Sequence, residues 1–197
     1  DSVDQWPLTL AAQVSALIFL GLILYLTATR LPPRDHAAGP MPRIVAIAGT
    51  FVMVFLVMLP PSPVGEVQRT VASVLVILGT ALSAWCLWHL GRSFSIMATA
   101  RELRTTGSYG IVRHPLYGAE VIATVGATLA HGSVSAFALA AVWLLLQIRR
   151  AQYEEGVLRQ AFPEYAQYAR RVPMLIPGLR LPFLEKTTPT GPSAKDL

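Results

Sequence analysis

VASVLVILGTALSAWCLWHL, residues 71–90, is a run of 20 residues that contains no Lys, Arg, Asp or Glu. A helix of about 20 apolar residues is long enough to cross the hydrocarbon core of a membrane. Similar apolar runs lie on both sides of it, at 8–29, 44–59, 115–131 and 134–149. The sequence therefore predicts an all-α integral membrane helical bundle with about five transmembrane helices.

The composition agrees with this class, because hydrophobic residues make up 53% of the chain and charged residues only 14%. The mean hydropathy is +0.50. The last two apolar runs are joined by His131-Gly132-Ser133, a link so short that it permits only an antiparallel helical hairpin. We expect one membrane domain over residues 1–184. A disordered polar tail follows over residues 185–197, where Pro, Thr and Ser are frequent.

The basic residues indicate the orientation. All of the Lys and Arg residues except Arg69 lie in segments that five spans place on one side of the membrane. Positively charged residues stay in the cytoplasm, so we predict that the N-terminus is outside and the C-terminus inside. The excess of Arg over Lys favours a bacterial source, and hence a bacterial inner membrane. The net charge of +5 then reflects topology and attraction to anionic lipid, and no nucleic-acid partner is predicted.

A charged loop, GSYGIVRHPLY at residues 107–117, leads into the fourth predicted span. Pro115 suits the first position of a helix, where its missing N–H costs nothing, and it keeps His114 out of helical geometry. Free N–H groups at such a helix start favour an anionic ligand group. A second polar cluster, Arg150 with two nearby glutamates, follows the last apolar run. Two polar clusters on one side of a membrane protein indicate a site for a polar cofactor.

The motif RHPLY at residues 113–117 resembles the isoprenylcysteine carboxyl methyltransferase family. The motif EEGVL at residues 154–158 resembles the same family, as do the aromatic residues and the Val172-Pro173 pair that follow it. The similarity covers about residues 92–177. It implies a multi-span membrane methyltransferase that uses S-adenosyl-L-methionine. It also implies that a cytosolic C-terminal helical segment completes the cofactor pocket.

The resemblance implies a role for each matching residue. Arg150 matches the arginine that faces the substrate carboxylate, which makes it a catalytic and substrate-binding candidate. The acceptor would be a lipophilic or prenylated small molecule that enters from the bilayer, with the active site facing the cytoplasm. The segment 101–104 matches a cofactor-contacting segment by position only. The complete set of candidate cofactor-binding residues is Arg101, Glu102, Leu103, Arg104, Tyr109, His114, Pro115, Leu116, Tyr117 and Glu154.

The spacing at the second cluster supports these roles. Arg150 and Glu154 are four residues apart, so a helix places them on one face. An Arg can dock a carboxylate through two parallel hydrogen bonds, and a carboxylate can hold ribose hydroxyls or an amino group. The alternative is a solvent-exposed helix pair without a function. We predict such a solvated pair for Glu155 and Arg159, the next two charges along the helix.

Glu120 lies one turn inside the fourth predicted span, where an ionisable side chain is a candidate functional group. Two interpretations stay open: a catalytic residue, or the partner of a cytoplasmic arginine. The four histidines show no spacing typical of metal ligands, so no metal is predicted.

The leading functional hypothesis is carboxyl methylation of an isoprenylcysteine-like acceptor. The first alternative is N- or S-methylation of a phospholipid or another small amphiphile. N-methylation would require Glu120 or Glu154 to accept a proton. An NADPH-dependent membrane reductase is a further alternative, but the chain has no Gly-rich loop for phosphate. A membrane scaffold without enzymatic activity is the last, and the concentration of polar residues at two motifs argues against it.

Overall fold

The computed structural model describes residues 6–179. Its α-helices are α1 Trp6–Thr29, α2 Met41–Phe51, α3 Glu66–Leu90, α4 Pro115–His131, α5 Val134–Ala161 and α6 Tyr165–Arg171. The remaining elements are 3-10 helices at Val52–Met58, Gly91–Ser93 and Gly107–Gly110, and two strands, β1 Asp35–His36 and β2 Thr99–Ala100. The predicted all-α membrane bundle is confirmed. The predicted tail at 185–197, and the ends of the predicted domain at 1–184, lie outside the described residues.

Within residues 6–179, four helical segments are long and apolar enough to cross a membrane: Leu10–Thr29, Met41–Met58, Glu66–Ser93 and Val134–Ala161. The second of these is an α-helix that continues as a 3-10 helix. The helix α4 has 17 residues and is about 25 Å long, somewhat shorter than the membrane core. The chain is therefore an integral membrane protein, while the fifth span and the orientation stay predictions.

Small residues allow α3 and α4 to pack closely. Gly79 of α3 faces Ala123 of α4, and a Cβ atom at Gly79 would collide with the Ala123 backbone. Gly126 of α4 fits in the same way, because an added Cβ would lie 2.7 Å from the carbonyl oxygen of Ala72. Lipid offers little hydrophobic driving force for helix association, so close packing through small residues holds such helices together. This seam fixes the start of α4 relative to α3.

The hairpin of α4 and α5 forms where the sequence predicts it. Gly132 adopts the left-handed conformation with φ of 73°, which residues with a Cβ rarely adopt. The hydroxyl of Ser133 caps α5 by accepting a hydrogen bond from the N–H of Ala136. The helix α5 continues past the membrane segment to Ala161, and Pro163 then separates it from α6.

Two loops at the polar end of the bundle are joined by β1 and β2. These strands pair antiparallel, with Asp35 opposite Ala100. Ala100 of β2 packs in a buried cluster with Val157 of α5 and Tyr165 of α6. The loops therefore form a layer over the C-terminal half of α5, and this layer is one wall of the site described below.

Candidate active site

The segment after α6 is bonded to the loop that precedes α4. The backbone N–H of Arg113 donates to the Pro173 carbonyl over 2.9 Å, and that of His114 donates to the Met174 carbonyl over 3.0 Å. The two polar clusters of the sequence also meet at this end of the bundle, where the Tyr117 hydroxyl donates a hydrogen bond to Glu154.

Glu155 joins these clusters from the inside, and its side chain is only 1% exposed. Its Oε1 accepts hydrogen bonds from Arg113 Nε at 2.8 Å and the Tyr165 hydroxyl at 2.8 Å, and lies 3.0 Å from His114 Nε2. Arg159 donates to Oε2 over 3.2 Å. The prediction of a solvated Glu155–Arg159 pair is wrong, because only the Arg159 side chain is substantially exposed, at 39%. We refer to Glu155, Arg113, His114 and Tyr165 as the Glu155 network.

The Glu155 network has enough hydrogen bonds to offset the burial of its charges. The Arg113 guanidinium also donates to the carbonyls of Ala169, over 2.8 Å, and Val172, over 3.0 Å. Burial and the nearby Glu155 carboxylate raise the pKa of Tyr165 well above 10, so its phenol remains a donor. A buried ion pair is tolerated when its remaining donors and acceptors are satisfied in this way. No local sequence pattern predicts this network, because its members come from the loop before α4, from α5 and from α6.

Glu154, one residue earlier, faces a cleft and is 22% exposed. Its Oε1 accepts a hydrogen bond from the Tyr117 hydroxyl over 2.6 Å and lies 3.5 Å from Arg150 Nε. Its Oε2 lies 3.8 Å from His114 Nδ1. The Arg150 guanidinium carbon is 5.3 Å from the centre of the Tyr117 ring, within the range of a cation–π contact. We call His114, Tyr117, Arg150 and Glu154 the polar wall.

The polar wall forms one side of a cleft that opens to solvent. Arg150 and all the candidate cofactor-binding residues except Pro115 line this cleft. Pro115 is the first residue of α4, where it acts through the backbone by setting the helix start. The structure thus brings together the segment 101–104, the loop before α4 and the face of α5 that carries Glu154.

The cleft also contains polar atoms that the sequence analysis missed. Within the described part of the chain, Ser93 Oγ, Ser95 Oγ and Thr99 Oγ1 are buried and have no hydrogen-bond partner. Buried polar groups are normally hydrogen-bonded, so a polar ligand would supply the missing partners. These residues lie in an irregular loop without a motif or a periodicity, which left no signal in the sequence. With the Glu154 carboxylate, they fit a cofactor that carries hydroxyl, amino and carboxylate groups.

A second cavity, which is partly open, lies between the helices. Glu120 lines it and accepts a hydrogen bond from Gln147 Nε2 over 2.6 Å, so its direct partner is a neutral amide rather than an arginine. Phe94 and Arg150 line both this cavity and the cleft. Arg150 therefore stands where a polar ligand from one side can meet an apolar ligand from the other.

The protonation of the cleft tyrosine Tyr109 also follows from its surroundings. Burial raises its pKa well above 10, so the phenol is neutral and not a base at physiological pH. Over residues 6–179, no group of three or more His, Cys, Asp or Glu side chains is placed to hold a metal ion.

Comparison with known proteins covers this same region. The profile of a family described as phospholipid methyltransferase matches residues 67–165, half of the chain. The matched segment runs from α3 to the start of α6 and includes both polar clusters and the hairpin between them.

Curated relatives match with about one third identity. Protein-S-isoprenylcysteine O-methyltransferase B of Arabidopsis thaliana is 36% identical over 110 residues, 52% of this chain and 56% of that protein. The nickel-cobalt-cadmium resistance protein NccN of Alcaligenes xylosoxydans xylosoxydans is 34% identical over 120 residues, 60% of this chain and 54% of that protein. A probable protein-S-isoprenylcysteine O-methyltransferase of Oryza sativa subsp. japonica is 33% identical over 122 residues, 58% of this chain and 61% of that protein.

The chain therefore spans little more than half the length of these relatives. The resemblance to isoprenylcysteine carboxyl methyltransferases, inferred from the two motifs, is confirmed, and the chain belongs to the phospholipid methyltransferase family.

Proposed function

We propose that this protein is an S-adenosyl-L-methionine-dependent membrane methyltransferase that methylates the carboxylate of a lipophilic, isoprenylcysteine-like acceptor. The observation that carries the proposal is the position of Arg150, which lines both the cleft and the cavity between the helices. A guanidinium at that junction suits an anionic acceptor group beside the methyl donor. The names of the plant relatives favour the same acceptor class.

The cleft fits the proposed cofactor. S-adenosyl-L-methionine supplies a methyl group on a positively charged sulfur when it is bound. The Glu154 carboxylate is suited to its ribose hydroxyls or its amino group, and Arg101 and Arg104 are suited to its carboxylate. The hydroxyls of Ser93 and Ser95, which have no hydrogen-bond partner in the described part of the chain, would complete the polar contacts.

The chain's own contribution is positioning rather than acid–base chemistry. A carboxylate is already an anion, so no residue has to remove a proton from it before methyl transfer. Arg150 would orient its two oxygens, and the loop layer over α5 would exclude water. Alignment of this kind accounts for much of the rate enhancement in reactions that bring two bound molecules together.

The cleft and the helix-lined cavity also indicate from where each ligand would enter the protein. The outer faces of α1 and α3 expose large apolar side chains such as Leu17, Leu24 and Val67, as expected for contact with lipid. A lipophilic acceptor would enter the helix-lined cavity from the bilayer, and the cofactor would enter the cleft from the cytoplasm. The cation asymmetry supports a cytoplasmic site, and the Arg-rich composition supports a bacterial inner membrane.

Purified protein in lipid nanodiscs, given methyl-labelled S-adenosyl-L-methionine and N-acetyl-S-farnesyl-L-cysteine, tests this proposal. A carboxyl methyl ester releases its label as volatile methanol in mild base, whereas an N-methyl or S-methyl group does not. We expect base-labile product and calorimetric binding of S-adenosylhomocysteine. Base-stable product from added phosphatidylethanolamine would favour amine methylation instead, and binding of NADPH without binding of either sulfur nucleoside would contradict a methyltransferase.

A further inference from the structure

The helix-lined cavity carries polar groups that methyl transfer to a carboxylate does not itself require. Glu120 of α4 and Gln147 of α5 are joined across the cavity by the hydrogen bond of 2.6 Å. Gln147 is only 4% exposed. A carboxylate and an amide between membrane helices are costly unless each finds a partner, so such a pair is a candidate recognition site.

The open atoms of this pair have one chemical preference. Gln147 directs its N–H group to Glu120, which leaves Gln147 Oε1 buried and without a partner in the described chain. The second carboxylate oxygen of Glu120, Oε1, receives no hydrogen bond from the described residues. Both open atoms are hydrogen-bond acceptors, so they match a donor on the ligand. Gly49 of α2 makes room for this arrangement, because a Cβ there would lie 3.0 Å from Gln147 Oε1.

Arg150, at the boundary between the cavity and the cleft, instead prefers a hydrogen-bond acceptor on the ligand. Arg150 offers only donors, and its Nε lies 3.5 Å from Glu154 Oε1 without a hydrogen bond to any described residue. The wall of the cavity also includes apolar side chains such as Phe19, Ile23 and Ile96. The cavity therefore suits an amphiphile that carries an anionic group, a nearby hydrogen-bond donor and an apolar tail.

We propose that Glu120 and Gln147 form a recognition site for a hydrogen-bond donor on the acceptor, such as the amide N–H of an N-acylated amino acid whose carboxylate lies at Arg150. This inference rests on the proposed function, because it places the methyl-accepting carboxylate at Arg150. Glu120 is then a positioning residue that orients the acceptor. It selects against the fatty acids of the bilayer, which have a carboxylate and a tail but no N–H group.

Two acceptors that differ only in this donor test the proposal. N-acetyl-S-farnesyl-L-cysteine has the amide N–H, and its depsi analogue replaces that N–H with an ester oxygen while keeping the charge, the tail and nearly the same shape. In nanodiscs, we expect wild-type kcat/KM to favour the N–H acceptor by about ten- to a hundredfold, as for loss of one charge-assisted hydrogen bond. Glu120→Leu should remove this preference by lowering kcat/KM for the N–H acceptor alone. Glu120→Gln keeps an acceptor oxygen and should retain part of the preference.

The controls separate recognition from structure. Thr124→Val alters the same cavity without touching the pair, and we expect it to change both acceptors equally. Binding of S-adenosylhomocysteine and the melting temperature show whether each variant is folded. If Glu120→Leu does not fold, Gln147→Met replaces it in the comparison. Equal kcat/KM for the two acceptors in the wild type, or equal loss of both in the variants, would overturn the proposal.

A further measurement shows whether a negative result contradicts this recognition site or the proposed function. If neither acceptor is methylated, their affinities are measured by quenching of tryptophan fluorescence, since Trp143 lines the cavity. Tighter binding of the N–H acceptor by tenfold or more would support the recognition site while contradicting carboxyl methylation. Equal affinity, or no binding of either, would overturn the recognition site.

Discussion

Glu154 and Glu155 are neighbours on α5, yet they belong to regions with opposite states of hydrogen bonding. Glu155 is 1% exposed, and three groups lie within 3.0 Å of its Oε1. Glu154 is 22% exposed, and its only contact that short is with the Tyr117 hydroxyl among the described residues. The first region is a satisfied network that stabilises the fold, and the second retains acceptor capacity for a ligand. Removing a carboxylate should therefore cost stability in one region and binding in the other.

The largest expected effect is that of Glu155→Ala. It would leave the Arg113 charge and the Tyr165 hydroxyl buried without their acceptor, which costs about 3–5 kcal/mol in stability. We expect a large fall in the melting temperature in detergent or nanodiscs, together with loss of cofactor binding. Glu164→Ala, which removes an exposed glutamate nearby, is the matched control. A Glu155→Ala variant that melts like the wild type would remove the distinction between the two regions.

Arg150→Ala tests the polar wall from the acceptor side. We expect turnover to fall roughly a hundredfold, because a bidentate charge-assisted contact to the acceptor carboxylate is lost. The affinity for S-adenosylhomocysteine and the stability should change little. Arg150→Lys should also be impaired, since Lys is a point charge. The adjacent and exposed Arg149 provides the control, and Arg149→Ala should retain activity. Full activity of Arg150→Ala would instead favour an amine or another neutral acceptor.

Glu154→Ala tests the same wall from the cofactor side. Loss of one charge-assisted hydrogen bond to a ligand costs about 1.5–3 kcal/mol, or roughly ten- to a hundredfold in affinity. We expect calorimetry to show this loss for S-adenosylhomocysteine, with a melting temperature close to that of the unliganded wild type. A Glu154→Ala variant that unfolds as readily as Glu155→Ala would show that both glutamates are structural.

The comparison of the two glutamates also shows what the sequence can predict. Apolar runs, the start of α4 at Pro115 and the turn at Gly132 are local features, and the structure confirms the elements that they predict. The placement of Glu154 at the cleft came from a motif. The burial of Glu155 depends on Arg113, His114 and Tyr165, which reach its carboxylate from other parts of the chain. The helical period alone separates the two side chains by about 100° and does not reveal which one is covered.

The irregular loop around Ser93, Ser95 and Thr99 illustrates a second limit. Helices and turns have periodic or positional signals, but the hydroxyls of this loop follow no repeat. Their importance appears only when the loop covers α5 and their oxygen atoms are buried without a hydrogen-bond partner among residues 6–179. Glu120 was partly predictable. Its location in an apolar run made it a candidate functional residue, but its partner, Gln147, is identified only by the packing of α4 against α5.

The smallest expected effect is that of Arg159→Ala, which sharpens the comparison within the Glu155 carboxylate itself. Arg113 and Arg159 bind the same carboxylate at 2.8 Å and 3.2 Å, but their side chains are 1% and 39% exposed. Water can replace an exposed donor, and exposed pairs four residues apart on a helix contribute only about 0.3–0.5 kcal/mol. We therefore expect Arg159→Ala to lower the melting temperature slightly, with a difference that shrinks as salt screens the pair. If Arg159→Ala were as destabilising as Glu155→Ala, the exposed Arg159 contact would contribute as much stability as the buried Arg113 contact. Burial would then not explain the difference between them.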